Sequence, residues 1–302
     1  MTRANMAAGI LMPVAFLVLG MAAWNSLAGA PVLLSSSWLV RAGFVALLYM
    51  GAHVMRILRL ALILGQKVIS LRRLALVHIH TAGVSAAIPF KLGEAYRIFE
   101  IGRANRSWGA ALISVLIERI FDAAIMLIFI LLPLLFGMGM TFDMLLFTGG
   151  VFAFLAMSAV LFLIVPENLP RLQMYLIRRY HSPWNLKMLA GLGALDKALS
   201  CVWRMLKGKY ATIGLLTVAI WTLEMAALGL AIPALIETPG RALTAPLALL
   251  SSAFVENAPI IGGGDSAALY AMATAGLLYL SAIAAGLAYL LFKPIRRKGL
   301  LS

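Results

Sequence analysis

Apolar runs recur along the whole chain, separated by short polar breaks in which Lys and Arg outnumber Asp and Glu. Runs at 6–24, 38–64, 108–137, 145–165, 211–236 and 267–292 approach or exceed the roughly 20 residues a helix needs to cross a hydrocarbon core about 30 Å thick. A backbone in lipid must satisfy its own hydrogen bonds, so runs of this length predict helices. The pattern is that of an all-α polytopic membrane protein.

Two further apolar runs are interrupted. The first, 74–90, carries His78, His80, Thr81, Gly83 and Ser85 and ends at Pro89. The second, 243–261, leads through Asn257 and Pro259 into Gly262, Gly263, Gly264 and Asp265. Arg56, Arg59, Lys67, Arg72 and Arg73 crowd the far end of the second span, which places that end in the cytoplasm by the positive-inside rule. Lys91, Arg97, Arg103 and Arg106 follow the 74–90 run, so basic residues flank both of its ends. A full crossing would put one of these clusters outside; a re-entrant hairpin puts both inside. Lys293, Arg296, Arg297 and Lys298 place the C-terminus inside as well. Six crossings satisfy both termini only if 243–261 is also re-entrant, from the outer face.

Hairpins of opposite entry predict an inverted repeat within one domain, 1–302. The first half is 38–165 with its re-entrant segment 74–90. The second is 210–292 with its segment 243–261. Pro89, Gly93 and Glu94 close the first segment; Pro259, Gly262, Gly263, Gly264 and Asp265 close the second. Proline and glycine interrupt helices and expose backbone groups. Interrupted helices at matching places in two halves mark a transporter-type site at the repeat interface. Pro89, Gly93, Pro259 and Gly262–Gly264 are therefore the expected structural positions.

Composition agrees. The 302-residue chain is 63% hydrophobic and 12% charged, with a formal net charge of +14. Soluble domains carry roughly a quarter charged residues. In a membrane protein the positive excess belongs to cytoplasmic loops and anionic headgroups, so nucleic-acid binding is not expected. Cys201 is the single cysteine, which rules out an internal disulfide. The first apolar run follows Met1-Thr2-Arg3 and precedes further spans, so it is expected to be retained as a helix rather than cleaved. The segment 166–209 is basic, with Met188, Leu192, Leu195, Leu199, Val202 and Leu206 on one helical face. It is expected to lie on anionic lipid of the inner leaflet, the alternative being a helix packed on its own protein.

The chemistry is concentrated in buried charges. Glu118 stands about 15 Å into the third span, near mid-membrane, and Glu118 and Asp122 share a helix face. Arg119 is spaced to pair with Asp122. Each unpaired charge at that depth costs about 2.5–3.5 kcal/mol, so these groups must face protein or water. They are either a clasp between helices or the lining of a headgroup site. Glu94 and Arg97 are the natural partners from the hairpin, Lys91 a phosphate contact, and Glu224 a further intramembrane acid able to pair with Arg119. The expected substrate-binding set is Lys91, Glu94, Arg97, Glu118, Arg119, Asp122, Glu224, Asn257 and Asp265. His78 and His80 point about 200° apart on a helix, unsuited to one metal. No metal, cofactor or nucleotide motif is present in the sequence.

These residues resemble a known family. Arg56-Ile57-Leu58-Arg59, Pro89-x-x-x-Gly93-Glu94-x-x-Arg97, Glu118-Arg119-x-x-Asp122, Trp221-x-x-Glu224 and the Pro259 to Gly264 region are similar to the flippase-like transmembrane region of lysylphosphatidylglycerol synthases. The second half departs from the family pattern, because Asp265 rather than a later glutamate follows the glycines. The resemblance implies an inverted-repeat fold and movement of lipid headgroups between leaflets. The chain ends at Ser302, soon after its last span, so the aminoacyl-transfer domain of the fused synthases is not expected.

The expected function is a lipid flippase of the cytoplasmic membrane, moving a phospholipid or polyprenyl-linked glycan. The alternatives are an intramembrane lipid-modifying enzyme using Glu94 and Glu118, and a scaffold for envelope-synthesis enzymes. A homodimer is compatible with all three.

Overall fold

The computed structural model describes residues 3–28, 36–65, 69–88, 92–105, 107–135, 142–179, 183–232, 270 and 272–291. Among them every regular element is helical: α1 Arg3–Ala28, α2 Ser36–Leu64, α3 Leu71–Ala87, α4 Leu92–Asn105, α5 Trp108–Leu135, α6 Phe142–Ala159, α7 Val165–Arg179, α8 Pro183–Leu206, α9 Tyr210–Ala231 and α10 Leu277–Leu291. A π-helical turn, Met272–Gly276, leads into α10. Pro89, Lys91, the 243–261 segment, Asn257, Pro259, Gly262, Gly263, Gly264 and Asp265 lie outside the described residues.

The molecule is turned inside out relative to a soluble domain. Large apolar side chains face outward on α1 (Leu17, Met21), α2 (Phe44, Leu47) and α6 (Leu145, Phe152), while Arg59, Arg97, Glu100 and Glu118 are buried. Lipid outside and paired charge inside is the arrangement a bilayer demands. Four helical stretches, Leu39–Leu64, Leu145–Arg178, Tyr210–Ala231 and Ala273–Leu291, are long and apolar enough to cross a membrane. The protein is a multi-pass membrane protein.

At its centre α2 packs on α9 and also touches α3, α5 and α8, while α3 is held between α4 and α10. Small residues set the α3 spacing. A Cβ at Gly83 would run into Ala282, and one at Gly286 into His80. Histidine then ties the layers. The Ala282 carbonyl accepts from His80 Nδ1 at 3.0 Å, so His80 Nε2 must accept from the Tyr96 hydroxyl, also at 3.0 Å. His80 therefore joins α3 to α10 and α4 as a structural tie.

Two turns are fixed by glycine in the left-handed region: Gly65 (φ 82°) closes α2 and Gly208 (φ 74°) separates α8 from α9. Lys209, beside that second turn, donates to the Leu62 carbonyl at 2.7 Å. A cation thereby caps the otherwise unpaired C-terminal carbonyls of α2.

Two expectations change. The helix of the fourth span does not end at Val165: α6 runs through a π-helical turn, Val160–Ile164, straight into α7. Pro166 has no N–H and crowds the carbonyl four residues back, which falls within that widened turn, so the helix continues. The 166–209 segment is also not a free surface helix along its length. Val202 and Leu206, expected toward lipid, are buried with Ile63 of α2, Ile113 and Ile117 of α5 and Ile213 of α9. Trp184, Leu186 and Met188, in the first half of α8, stay exposed.

Gly93 is where α4 comes closest to α3, since a Cβ there would overlap the backbone of Ser85. Backbone cannot yield as a side chain does. Gly93→Ala is expected to destabilise by about 1–3 kcal/mol. Gly214→Ala, on a part of α9 with nothing within 4 Å of the new atom, is expected to be neutral or to stabilise by up to about 1 kcal/mol. Thermal unfolding in one detergent compares them; equal stability of the two variants would remove Gly93 from its packing role.

Candidate functional site

Among the described residues α2, α4, α5 and α9 bring together four arginines and four carboxylates, six of these groups joined in one ion-pair network and two in a separate pair. Arg59 is the hub of the network. Its side chain is 2% exposed, and Nη1 and Nη2 donate to the two oxygens of Asp122 at 2.6 and 3.2 Å. Nη1 also donates to Thr217 Oγ1 at 2.9 Å, and that hydroxyl donates in turn to the Ile213 carbonyl at 2.8 Å. Arg59 Nε faces Glu118 Oε1 at 3.7 Å, within ion-pair range. One planar fork thus joins α2 to α5 and α9, which a lysine with its single nitrogen cannot do.

Glu118 is fully buried and sits between two cations. Its second oxygen accepts from Arg97 Nη2 of α4 at 2.7 Å. A buried carboxylate needs such flanking guanidiniums to remain in an apolar interior. Beyond Arg97 the network passes to two histidines. Arg97 Nη2 lies 3.5 Å from His78 Nδ1, and His78 Nε2 lies 3.4 Å from His53 Nδ1. Guanidinium only donates, so His78 Nδ1 accepts. A neutral His78 then carries its proton on Nε2 and offers it to His53. His53 is left with its own N–H on Nε2, which has no hydrogen-bond partner among the described residues.

At its other end the network opens. Arg119 Nε lies 3.0 Å from Glu94 Oε1, and Arg119 Nη1 3.6 Å from Asp122 Oδ2. These side chains are 42% and 28% exposed for Arg119 and Glu94. The pair joins the start of α4 to the middle of α5. A separate pair, Arg56 and Glu224 at 2.5 Å, ties α2 to α9.

Of the expected site residues, Glu94, Arg97, Glu118, Arg119, Asp122 and Glu224 all fall in these pairs. Lys91, Asn257 and Asp265 lie outside the described residues. Glu94 pairs with Arg119 across the two helices. The partners differ from the sequence reading in two places: Asp122 is held chiefly by Arg59 rather than Arg119, and Glu224 takes Arg56 rather than Arg119. Arg56 and Arg59 are functional candidates that sequence reasoning treated as markers of the cytoplasmic side and as a family motif, but not as site residues. The available signal was the run Leu60 to Leu64, which keeps both arginines inside the helix. Among the described residues no group of three or more His, Cys, Asp or Glu is placed to hold a metal.

Removing Arg59 would take the chief partner from Asp122 and one of two guanidiniums from the buried Glu118. Arg59→Met is expected to cost about 3–5 kcal/mol, the range for breaking a buried pair from one side. Arg56→Met, at a partly open pair, is expected to cost clearly less. Chemical unfolding in detergent measures both, and an Arg59 variant no less stable than the Arg56 variant would refute the hub.

The family described as Lysylphosphatidylglycerol synthase TM region matches residues 6–296. No curated protein matches the chain. No solved structure does either. The match runs across the Arg56–Arg59 helix, α3 and α4, the Glu118–Asp122 helix and α9, so the chain belongs to the family of the lysylphosphatidylglycerol synthase transmembrane region.

Proposed function

We propose that the protein moves a lipid with a charged headgroup between the leaflets of the cytoplasmic membrane. The observation that carries this reading is the gradient of exposure along one ion-pair network, from the sealed Arg59–Glu118 contact to the half-open Arg119–Glu94 pair. A sealed hub keeps the helices in register. An open pair can exchange its internal partner for an external one: phosphate for Glu94 at Arg119, or an amine or hydroxyl for Arg119 at Glu94. Exchange of one partner for another keeps each charge compensated at depth, where an uncompensated one is costly. The acyl or prenyl chains stay in lipid.

Membership of a family named for a lipid-modifying synthase's membrane region supports a lipid cargo. A binding role is favoured over acid–base chemistry because each carboxylate of the network is engaged by a guanidinium, whereas a general acid or base needs a free proton site near the operating pH. The finer topology belongs to the same proposal: six crossings, two re-entrant hairpins and both termini cytoplasmic. The tight packing of α3 on α4 fits a hairpin, and α2 and α9, which open the two halves, pack on each other.

Two experiments test this. Arg119→Lys keeps the charge and loses the two-bond grip on phosphate. It is expected to fold normally and to move lipid at least about tenfold more slowly in proteoliposomes, read as leaflet exchange of the co-purified lipid. Full activity would leave Arg119 as helix glue. For topology, cysteines replace Arg72 and Ser107, both exposed, in a Cys201-free background. Both are expected to label from the cytoplasmic side only; outside labelling of either would overturn the first hairpin.

A further inference from the structure

A second cationic centre lies apart from the network, where α3 begins and α10 ends. The guanidinium carbons of Arg73 (α3) and Arg103 (α4) lie 5.7 and 5.6 Å from the ring centroid of Tyr289 (α10). Both distances are within cation–π range. The Tyr289 ring is buried in the cluster formed by Leu60, Leu64, Leu74, Val77 and Ile101. Arg103 also pairs with Glu100 at 2.6 Å. Arg73 has no carboxylate partner among the described residues, and the Nε atoms of both arginines are buried without a hydrogen-bond partner there.

Three independent features raise the positive potential at this point. Two guanidiniums lie within cation–π range of one ring, and Glu100, the carboxylate paired there, holds Arg103 alone. The start of α3 adds its own partial positive charge: Ser70 makes no side-chain cap, and the first turn holds no acid. The neighbouring sequence supplies no counter-charge, since 65–88 and 289–302 contain no Asp or Glu. Arg73, in the first turn of α3, is poorly placed for stability alone, because a cation there opposes the helix dipole. It suits an anion that takes guanidinium N–H groups and the free helix N–H groups together.

We propose that Arg73, Arg103 and the N-terminus of α3 form a phosphate-binding site, with the Tyr289 ring as the surface both guanidiniums rest against. Arg103 lies six residues beyond Arg97 on α4, about 9 Å along the helix axis, so this site is distinct from the Arg119–Glu94 opening. It does not depend on the transport reading. The ligand chemistry is a phosphate oxyanion, from free phosphate or from the headgroup of an anionic lipid.

The test uses the full chain in a maltoside detergent, which carries no phosphate. One arm titrates inorganic phosphate; the other titrates phosphatidylglycerol and counts retained lipid by native mass spectrometry. Arg73→Gln is expected to weaken binding about tenfold, and Tyr289→Phe, which keeps the ring, to leave it unchanged. Arg119→Lys is expected to leave Arg73-dependent binding unchanged, which separates this site from the transport proposal. Weakening in the lipid arm alone assigns the site to a headgroup; weakening in the phosphate arm alone, or in both arms, assigns it to phosphate itself. Should Arg73→Gln fail to fold, Arg73→Lys is read instead, with a severalfold loss expected because the planar fork is gone. Binding that is absent in the wild type, or unchanged in the folded Arg73 variant, overturns the site and leaves a cation–π clasp.

Discussion

A charge taken out of water must meet an opposite charge and fill its hydrogen bonds, or the helix carrying it will not stay in an apolar interior. Arg59 and Glu118 impose that constraint here. Both are almost completely buried, and neither is satisfied by its own helix. Arg59 needs Asp122 of α5 and Thr217 of α9; Glu118 needs Arg97 of α4. The register of four helices follows from these bonds more than from apolar contact, which differs little between one lipid-like neighbour and another.

The same constraint separates structural from exchangeable groups. Groups in the sealed part are reached by neighbouring helices alone, whereas Arg119 and Glu94 lie partly open at the edge of the packed interior. His80, Tyr96 and the close contact at Gly83 then fix α3 against α4 and α10. α4, which carries Glu94, is thus tied through α3 to α10.

Much of this was legible in the sequence, for reasons that can be named. Long apolar runs give spanning helices because no other backbone satisfies itself in lipid. Glu118, Arg119 and Asp122 stood out because charge is rare at that depth, and Glu94 was recognised as a partner for Arg119. Pairing was harder. Spacing along one helix favours Arg119 with Asp122, yet tertiary packing supplied a better-placed partner for Asp122 from α2. The pairing of Arg56 and Arg59 went unseen because an arginine near the end of a span serves topology and pairing equally well. Periodicity showed which face of α8 is apolar but not what covers it, and Val202 proved to face α2 and α5 rather than lipid. Pro166 argued for a helix end, and only the π-helical turn before it explains why the helix runs on.

The balance of the network has an electrical consequence. Four guanidiniums against four carboxylates sum to no net charge. A membrane potential acts on each elementary charge with about 2.3 kcal/mol per 100 mV across the full membrane. On a neutral cluster displaced as a body those forces cancel, so such a movement costs and gains nothing from the field. Voltage can then bias only what is added to the cluster. The sign and size of any voltage dependence would report the net charge of whatever binds there.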